Sequence, residues 1–257
     1  MTNNLLLLLR ISQCEYNESL WKEYTLYMNS QNYFKRQGLE GQCDISEGMV
    51  INGPAFLRYS SDEGKNWREL GEVQSISRDC NAYIYCMYGV IFNRDKYDPI
   101  RNEYVHDIPW ECISGLYVDN ITELMLLKNT SVFLNKFEQS VNEAGLSYSY
   151  GPVKYDLEEK LKDTDYFRDV INAPVQVLFH KKKEYEMQNE VRFAVICPDK
   201  PDHYELHMKN DNTLIFERVK LKRDLSIRIV IKNLKFNDKG EPINFSSDVE
   251  LYEGIMA

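Results

Sequence analysis

The apolar and polar positions divide the 257-residue chain into short segments, most of which read as strands. LLLLLRI (5–11) is a near-continuous apolar run and predicts a buried strand. Asn17 is placed to cap a short helix running through Trp21 and Glu23. TLYMNS (25–30) reads as a strand and SQNYFKR (30–36) as a turn of helix. GQCDISEG (41–48) is a loop rich in the Gly, Asp and Ser that turns favour. AFLRYS (55–60) and NAYIYCMYGVIF (81–92) are strands, the second long, aromatic and expected to be central. ITELMLLK (121–128) fits a strand or a helix.

Helical spacing is clearest in TSVFLNKFEQSVNEA (130–144), where Val132, Phe133, Phe137 and Val141 share a face. Thr130 or Ser131 is its candidate cap, and Gly145 stands where a C-terminal glycine belongs. LSYSYGPVKYD is strand-like with a Gly-Pro interruption, and Leu157 to Val170 reads as a polar helix. HYELHM, TLIFER and LSIRIVI are further strands. In KKKEYEMQNEVRFAVICP (181–198) strict alternation sets Met187, Asn189, Val191, Phe193 and Val195 on one face. Gln188, Glu190, Arg192 and Ala194 fall on the other. Helices in the first two-thirds and strands at the end predict an α+β fold: mixed, mainly antiparallel sheets with flanking helices, not a βαβ repeat. With no repeat and no Gly/Ser-rich linker, residues 1–257 are read as one domain.

Composition narrows the classes. At 43% hydrophobic and 28% charged, the chain has a globular profile. Tyrosine is abundant, 18 residues against 11 Phe and 3 Trp. It suits groove walls and half-buried strands, and it is also an ordinary preference of β-rich chains. A net charge of −9 argues against broad, sequence-blind nucleic-acid binding. From Arg218 to Lys239, however, eight Lys or Arg stand against two Asp. That stretch is either a local basic face or strand edges carrying Lys against aggregation.

The six cysteines form no CxxC pair and no zinc-like Cys/His spacing. Five leucines are too few for a signal-peptide core, no basic segment precedes them, and no stretch approaches a membrane span. The expectation is a reduced, cytoplasmic protein with no membrane partner. No metal site is expected either, since His203 and His207, four apart on a strand, do not share the geometry that spacing gives on a helix.

Phosphate-loop, dinucleotide-fingerprint and nucleophile-elbow motifs are all missing. What remains is the row around Glu190. On a strand, Gln188 and Glu190 project from one face roughly 7 Å apart. Such a pair can grip a sugar, the carboxylate steadying an oxocarbenium-like centre while the amide meets an incoming nucleophile. Arg192 can offer charge to a phosphate. Alternatively, Glu190 and Arg192 simply pair across the sheet.

Three segments carry a resemblance: LYMNSQNYFKR (26–36), CDISEG (43–48), and VKYD (153–156) followed by FHKKKEYEMQNEVRFAV (179–195). Together they resemble a bacterial uncharacterised-domain family with D-x-x-E-G and Q/E-x-E-x-R motifs, whose late strand is similar to the Gln/Glu-x-Glu element of mono-ADP-ribosyltransferases. The resemblance implies an ADP-ribosyltransferase-like fold with NAD as substrate and Glu190 as the catalytic glutamate on the nicotinamide ribose. Gln188 would orient or select the acceptor. The resemblance also asks for an early-strand Arg or His on the NAD phosphates or ribose and an aromatic to stack nicotinamide; Tyr27, Arg36 and Arg58 are the candidates, Tyr27 as a neutral side chain. The usual Ser-Thr-Ser strand is replaced by CMYG (86–89), where Tyr88 could stack on nicotinamide. A macromolecular acceptor (RNA, DNA or protein), a toxin role in phage defence or a toxin–antitoxin system, and an antitoxin partner are implied by analogy. Two other readings stand beside it. One is a non-catalytic binding module, and the other a Mg²⁺-dependent nuclease using Asp44, Glu47 and Glu190.

Overall fold

The computed structural model of the chain describes residues 4–36, 48–60, 65–66, 68–119, 121–197, 202–244 and 248–254. Its strands are β1 (Leu5–Gln13), β2 (Thr25–Ser30), β3 (Met49–Tyr59), β4 (Arg68–Ser77), β5 (Ala82–Ile91), β6 (Tyr97–Asp98), β7 (Glu103–Ile108) and β8 (Thr122–Leu127). They continue as β9 (Ser147–Pro152), β10 (Glu190–Ile196), β11 (His203–His207), β12 (Phe216–Lys220), β13 (Ser226–Lys232), β14 (Lys235–Phe236), β15 (Pro242–Asn244) and β16 (Asp248–Gly254). The helices are α1 (Cys14–Glu23), α2 (Gln31–Arg36), α3 (Trp110–Ser114), α4 (Thr130–Glu143), α5 (Leu157–Lys160) and α6 (Thr164–Asn172). The architecture is α+β with antiparallel sheets and few helices, the coarse class read from the sequence.

β5 organises the main sheet. One of its edges pairs with β10, which in turn pairs with β9. The other edge is shared: β2 meets it at Tyr83 and Ile84, and β1 meets it from Tyr88 to Ile91. Between those pairings, Tyr85, Cys86 and Met87 have no strand partner on that edge among the described residues. Beyond Leu9, β1 pairs with β8 alone among the described residues, while β2 pairs along its length with β11. The sheet therefore forks at the middle of β5. Because β1 and β2 both oppose β5, they run the same way, and α1 is the crossover that such a pair requires.

Three apolar clusters pack against the main sheet. Val191, Phe193 and Val195 of β10 pack with Phe133, Phe137 and Val141 of α4. Leu7, Leu9 and Leu126 pack against Ile229 and Ile231 of the second sheet, whose order is β16-β13-β7-β6. Tyr166 and Val170 of α6 cover Ile84 and Ala194. The apolar periodicity of 130–144 and of 190–196 thus marks real buried faces.

Several local expectations are corrected. Asn17 lies inside α1, buried, and donates to Glu123 Oε1 at 3.1 Å instead of capping. α4 starts after Asn129, whose side chain ties Ile215 N and gives no cap, while Gly145 ends the helix with φ +67° as expected. The ambiguous 121–128 segment is strand β8. The helix expected from 157 to 170 breaks into α5 and α6, because Asp163 caps the second by accepting from Asp165 N. In the basic stretch, five cations meet acids: Arg218–Glu123, Lys222–Glu253, Arg223–Asp119, Arg228–Asp107 and Lys232–Glu250. That pairing argues against a single-sign face there. The five described cysteines form no disulfide, and among the described residues no helix is long and apolar enough to cross a membrane.

Candidate functional site

The row around Glu190 is only partly a strand. Residues Lys183–Gln188 form a 3₁₀ helix, and Asn189 reverses it with φ +40°, a left-handed conformation asparagine tolerates. β10 begins at Glu190, so the alternation extended back through Met187, Gln188 and Asn189 is corrected. Gln188 reaches Glu190 by another route. The Lys181 ammonium donates to Gln188 Oε1 at 2.9 Å and stands 2.7 Å from Glu190 Oε2.

Glu190 is 6% exposed and faces Tyr88 across the β10–β5 ladder. Its other carboxylate oxygen accepts from Arg192 Nε at 2.6 Å, and Arg192, 1% exposed, also donates to Leu178 O. Burial alone would raise the Glu190 carboxyl. Arg192 and Lys181 outweigh it and hold the group well below the usual carboxylate range, so it is ionised throughout the physiological window. Burial, then the Glu190 charge, pushes the adjacent Cys86 thiol well up.

These groups line a cavity of about 330 Å³ at the fork, with walls from β1, β2, α2, β5, α3, the 3₁₀ segment and β10. Tyr27, Tyr88, Gln188, Glu190 and Arg192 all border it. Tyr27 is exposed and stacks on His203 with centroids 4.5 Å apart. Tyr88 is buried; its hydroxyl lies 2.8 Å from His106 Nε2 and accepts from Asn189 Nδ2 at 3.0 Å. Arg36 ends α2 and Arg58 sits on β3, but their side chains lie outside the described residues, as do Asp44 and Glu47 entirely. Among the described residues no three His, Cys, Asp or Glu gather to hold a metal.

Two further residues border the site beyond the candidates read from the sequence. Arg10 lies where β1 leaves β5 and borders the cavity. Its guanidinium carbon stands 4.3 Å from the Tyr85 ring centroid, and its Nε is buried without a hydrogen-bond partner. The available signal was a lone arginine terminating five leucines on a buried strand. Lys181 was hidden in a run of three lysines that looks solvated. With Arg10, Lys181 and Arg192 set against Glu190, the inner wall carries surplus positive charge; Glu111 and Glu184 also border the cavity but are exposed to water. Such a wall suits an anionic ligand with a polar, sugar-like portion. No protein-family model matches the chain, and neither curated proteins nor solved structures give a match.

Proposed function

We propose that the chain is an NAD-dependent mono-ADP-ribosyltransferase with an ADP-ribosyltransferase-like fold. The observation that carries this reading is the position of Glu190: an ionised, buried carboxylate on the wall of a cavity at the sheet fork, joined to Gln188 and faced by cations. The cavity volume falls at the small end of ligand sites, which run from roughly 300 to 1,000 Å³.

In this reading the NAD pyrophosphate answers Arg10, whose buried Nε still needs a partner. The bond between ribose C1′ and the nicotinamide nitrogen breaks, and its electron pair leaves with nicotinamide. The Glu190 carboxylate steadies the resulting oxocarbenium-like ribose. An acceptor nucleophile, oriented by Gln188, bonds to C1′ and gives up its proton to water at the open mouth of the cavity. The acceptor is a macromolecule, protein or nucleic acid. A toxin role in phage defence or a toxin–antitoxin system, with an antitoxin partner, extends the proposal.

The test is transfer of label from NAD labelled in the adenylate phosphate to macromolecules of a cell extract. Label should appear with the parent chain and vanish with Glu190→Gln; equal labelling by both overturns the reading. One observation favours a non-catalytic binding module instead: both Glu190 oxygens are already engaged, by Arg192 and Lys181. For such a module Glu190→Gln lowers the melting temperature and leaves partner binding intact.

A further inference from the structure

We infer that Lys181 is a positioning residue, an ammonium clamp that fixes the Glu190 carboxylate against the Gln188 amide, with the 153–157 segment locking the lysine from behind. The chemistry rests on the transferase reading above, and the clamp itself rests on geometry alone.

Three consecutive lysines differ sharply in environment. Lys183 is exposed and Lys182 half-buried, whereas Lys181 is 6% exposed. A buried ammonium is costly unless paired and hydrogen-bonded. Lys181 is both, through Glu190 Oε2 at 2.7 Å and Gln188 Oε1 at 2.9 Å. The left-handed turn at Asn189 takes Gln188 out of the strand row, so the ladder does not align the amide with the carboxylate. The shared ammonium does.

The VKYDL segment explains why the lysine stays in place. Lys181 N donates to Lys154 O at 2.9 Å, and Leu157 N donates to Lys181 O at 3.0 Å. Beside it, His180 Nδ1 meets Asp156 Oδ1 at 2.6 Å. The same segment grips Glu190: Val153 N donates to Glu190 O, and Glu190 N donates to the Tyr155 hydroxyl, both at 2.8 Å. One stretch of five residues, 153–157, therefore holds both ends of the ion pair, which accounts for two motifs lying some 25 residues apart in sequence and meeting in space. The titratable and charged groups facing the carboxylate are Lys181, Arg192 on its own strand, Cys86 on β5 and Tyr155.

The test uses the full chain with Lys181→Met, Lys181→Arg and, as a surface control, Lys183→Met. Two readouts are taken: nicotinamide release from NAD, with kcat and KM separated, and the titration of the ¹³C-labelled Glu190 carboxyl followed by NMR. For Lys181→Met we expect kcat to fall about 100-fold with KM within about threefold of the parent, since misaiming a group costs turnover more than binding. Lys181→Arg should recover part of kcat, and Lys183→Met should match the parent. The Glu190 carboxyl should titrate about one unit or more higher in Lys181→Met, because one of its two cations has gone. Parental kcat in Lys181→Met, or an unshifted carboxyl titration, overturns the clamp. If the parent releases no nicotinamide, the transferase reading falls and the carboxyl titration alone decides: a shift upholds the clamp and no shift overturns it. If Lys181→Met does not fold, Lys181→Arg carries the same readouts. A lowered kcat with a displaced carboxyl titration then supports the clamp, and parental values for both overturn it.

Discussion

Lys181 and Glu190 form a buried ion pair at 2.7 Å in a site where Arg192 already stands 2.6 Å from the other carboxylate oxygen. One anion thus faces two cations, all three almost wholly out of water. The arrangement is stable only while each partner is present, since a buried charge left alone bears its full desolvation cost.

Removing the anion is therefore the severe change. Glu190→Ala should destabilise the fold by about 3–5 kcal/mol, because Lys181 and Arg192 are both left uncompensated. Glu190→Gln keeps the shape and an acceptor oxygen, so it should cost less. Urea unfolding of the two variants measures the order; a larger loss for Gln than for Ala would contradict it.

His106 sets a distinct acid sensitivity. Burial first, and then the charge of Lys96, lowers its imidazole to about 4, with Asp107 opposing. The unfolded chain therefore binds the extra proton between about pH 6.5 and pH 4 while the folded chain does not. Stability is full above that window and is lost as pH falls through it, by on the order of 3 kcal/mol. Glu190 acts in a lower window, its contribution fading only as pH drops below the ordinary carboxylate range towards its depressed folded value. His106→Gln should flatten the dependence of melting temperature on pH between about 4 and 6.5. An unchanged slope would remove His106 as the cause.

Arg10 separates binding from stability. Arg10→Met relieves a buried, unpaired Nε but loses the guanidinium contact with the Tyr85 ring, so the melting temperature should change little. The same change should raise KM for NAD by about tenfold or more, by removing a charged hydrogen-bond donor from the pyrophosphate. Loss of stability with KM unchanged would make Arg10 a packing residue.

Gly89 tests the packing at the fork itself. A Cβ there would come within 2.4 Å of Val191 Cγ2 and 3.3 Å of Leu5 Cδ1, and valine has little rotamer freedom to yield. Gly89→Ala should cost about 1–3 kcal/mol, and Val191→Ala in the same chain should restore part of that. Strict additivity in the double-mutant cycle would place the strain elsewhere.

How far the sequence reveals this arrangement depends on the range of the interactions. β1 and α4 follow from local apolar pattern, and Val191, Phe193 and Val195 announce the buried face of β10. The fork does not, because it depends on which stretches of β5 pair with Leu9 and with Asn29, strands brought together only by tertiary structure. Lys181 looks like its solvated neighbours until 153–156 is seen to pair with 179–181. Alternation sets Gln188 and Glu190 on one strand, whereas in the fold Asn189 stands just before the strand begins and a lysine rejoins the two side chains. Arg10 is not legible as a wall residue because a cation ending a leucine run resembles a strand terminus.

The most direct test of Glu190 as the catalytic carboxylate is the rate of free nicotinamide release from NAD by the purified chain, compared with Glu190→Gln at an equal folded fraction. A catalytic Glu190 predicts turnover by the parent and a fall of about 100- to 1,000-fold in the variant, the scale on which one electrostatic contact to a reacting centre contributes. Release at the parental rate by Glu190→Gln, or none by either protein, would contradict it.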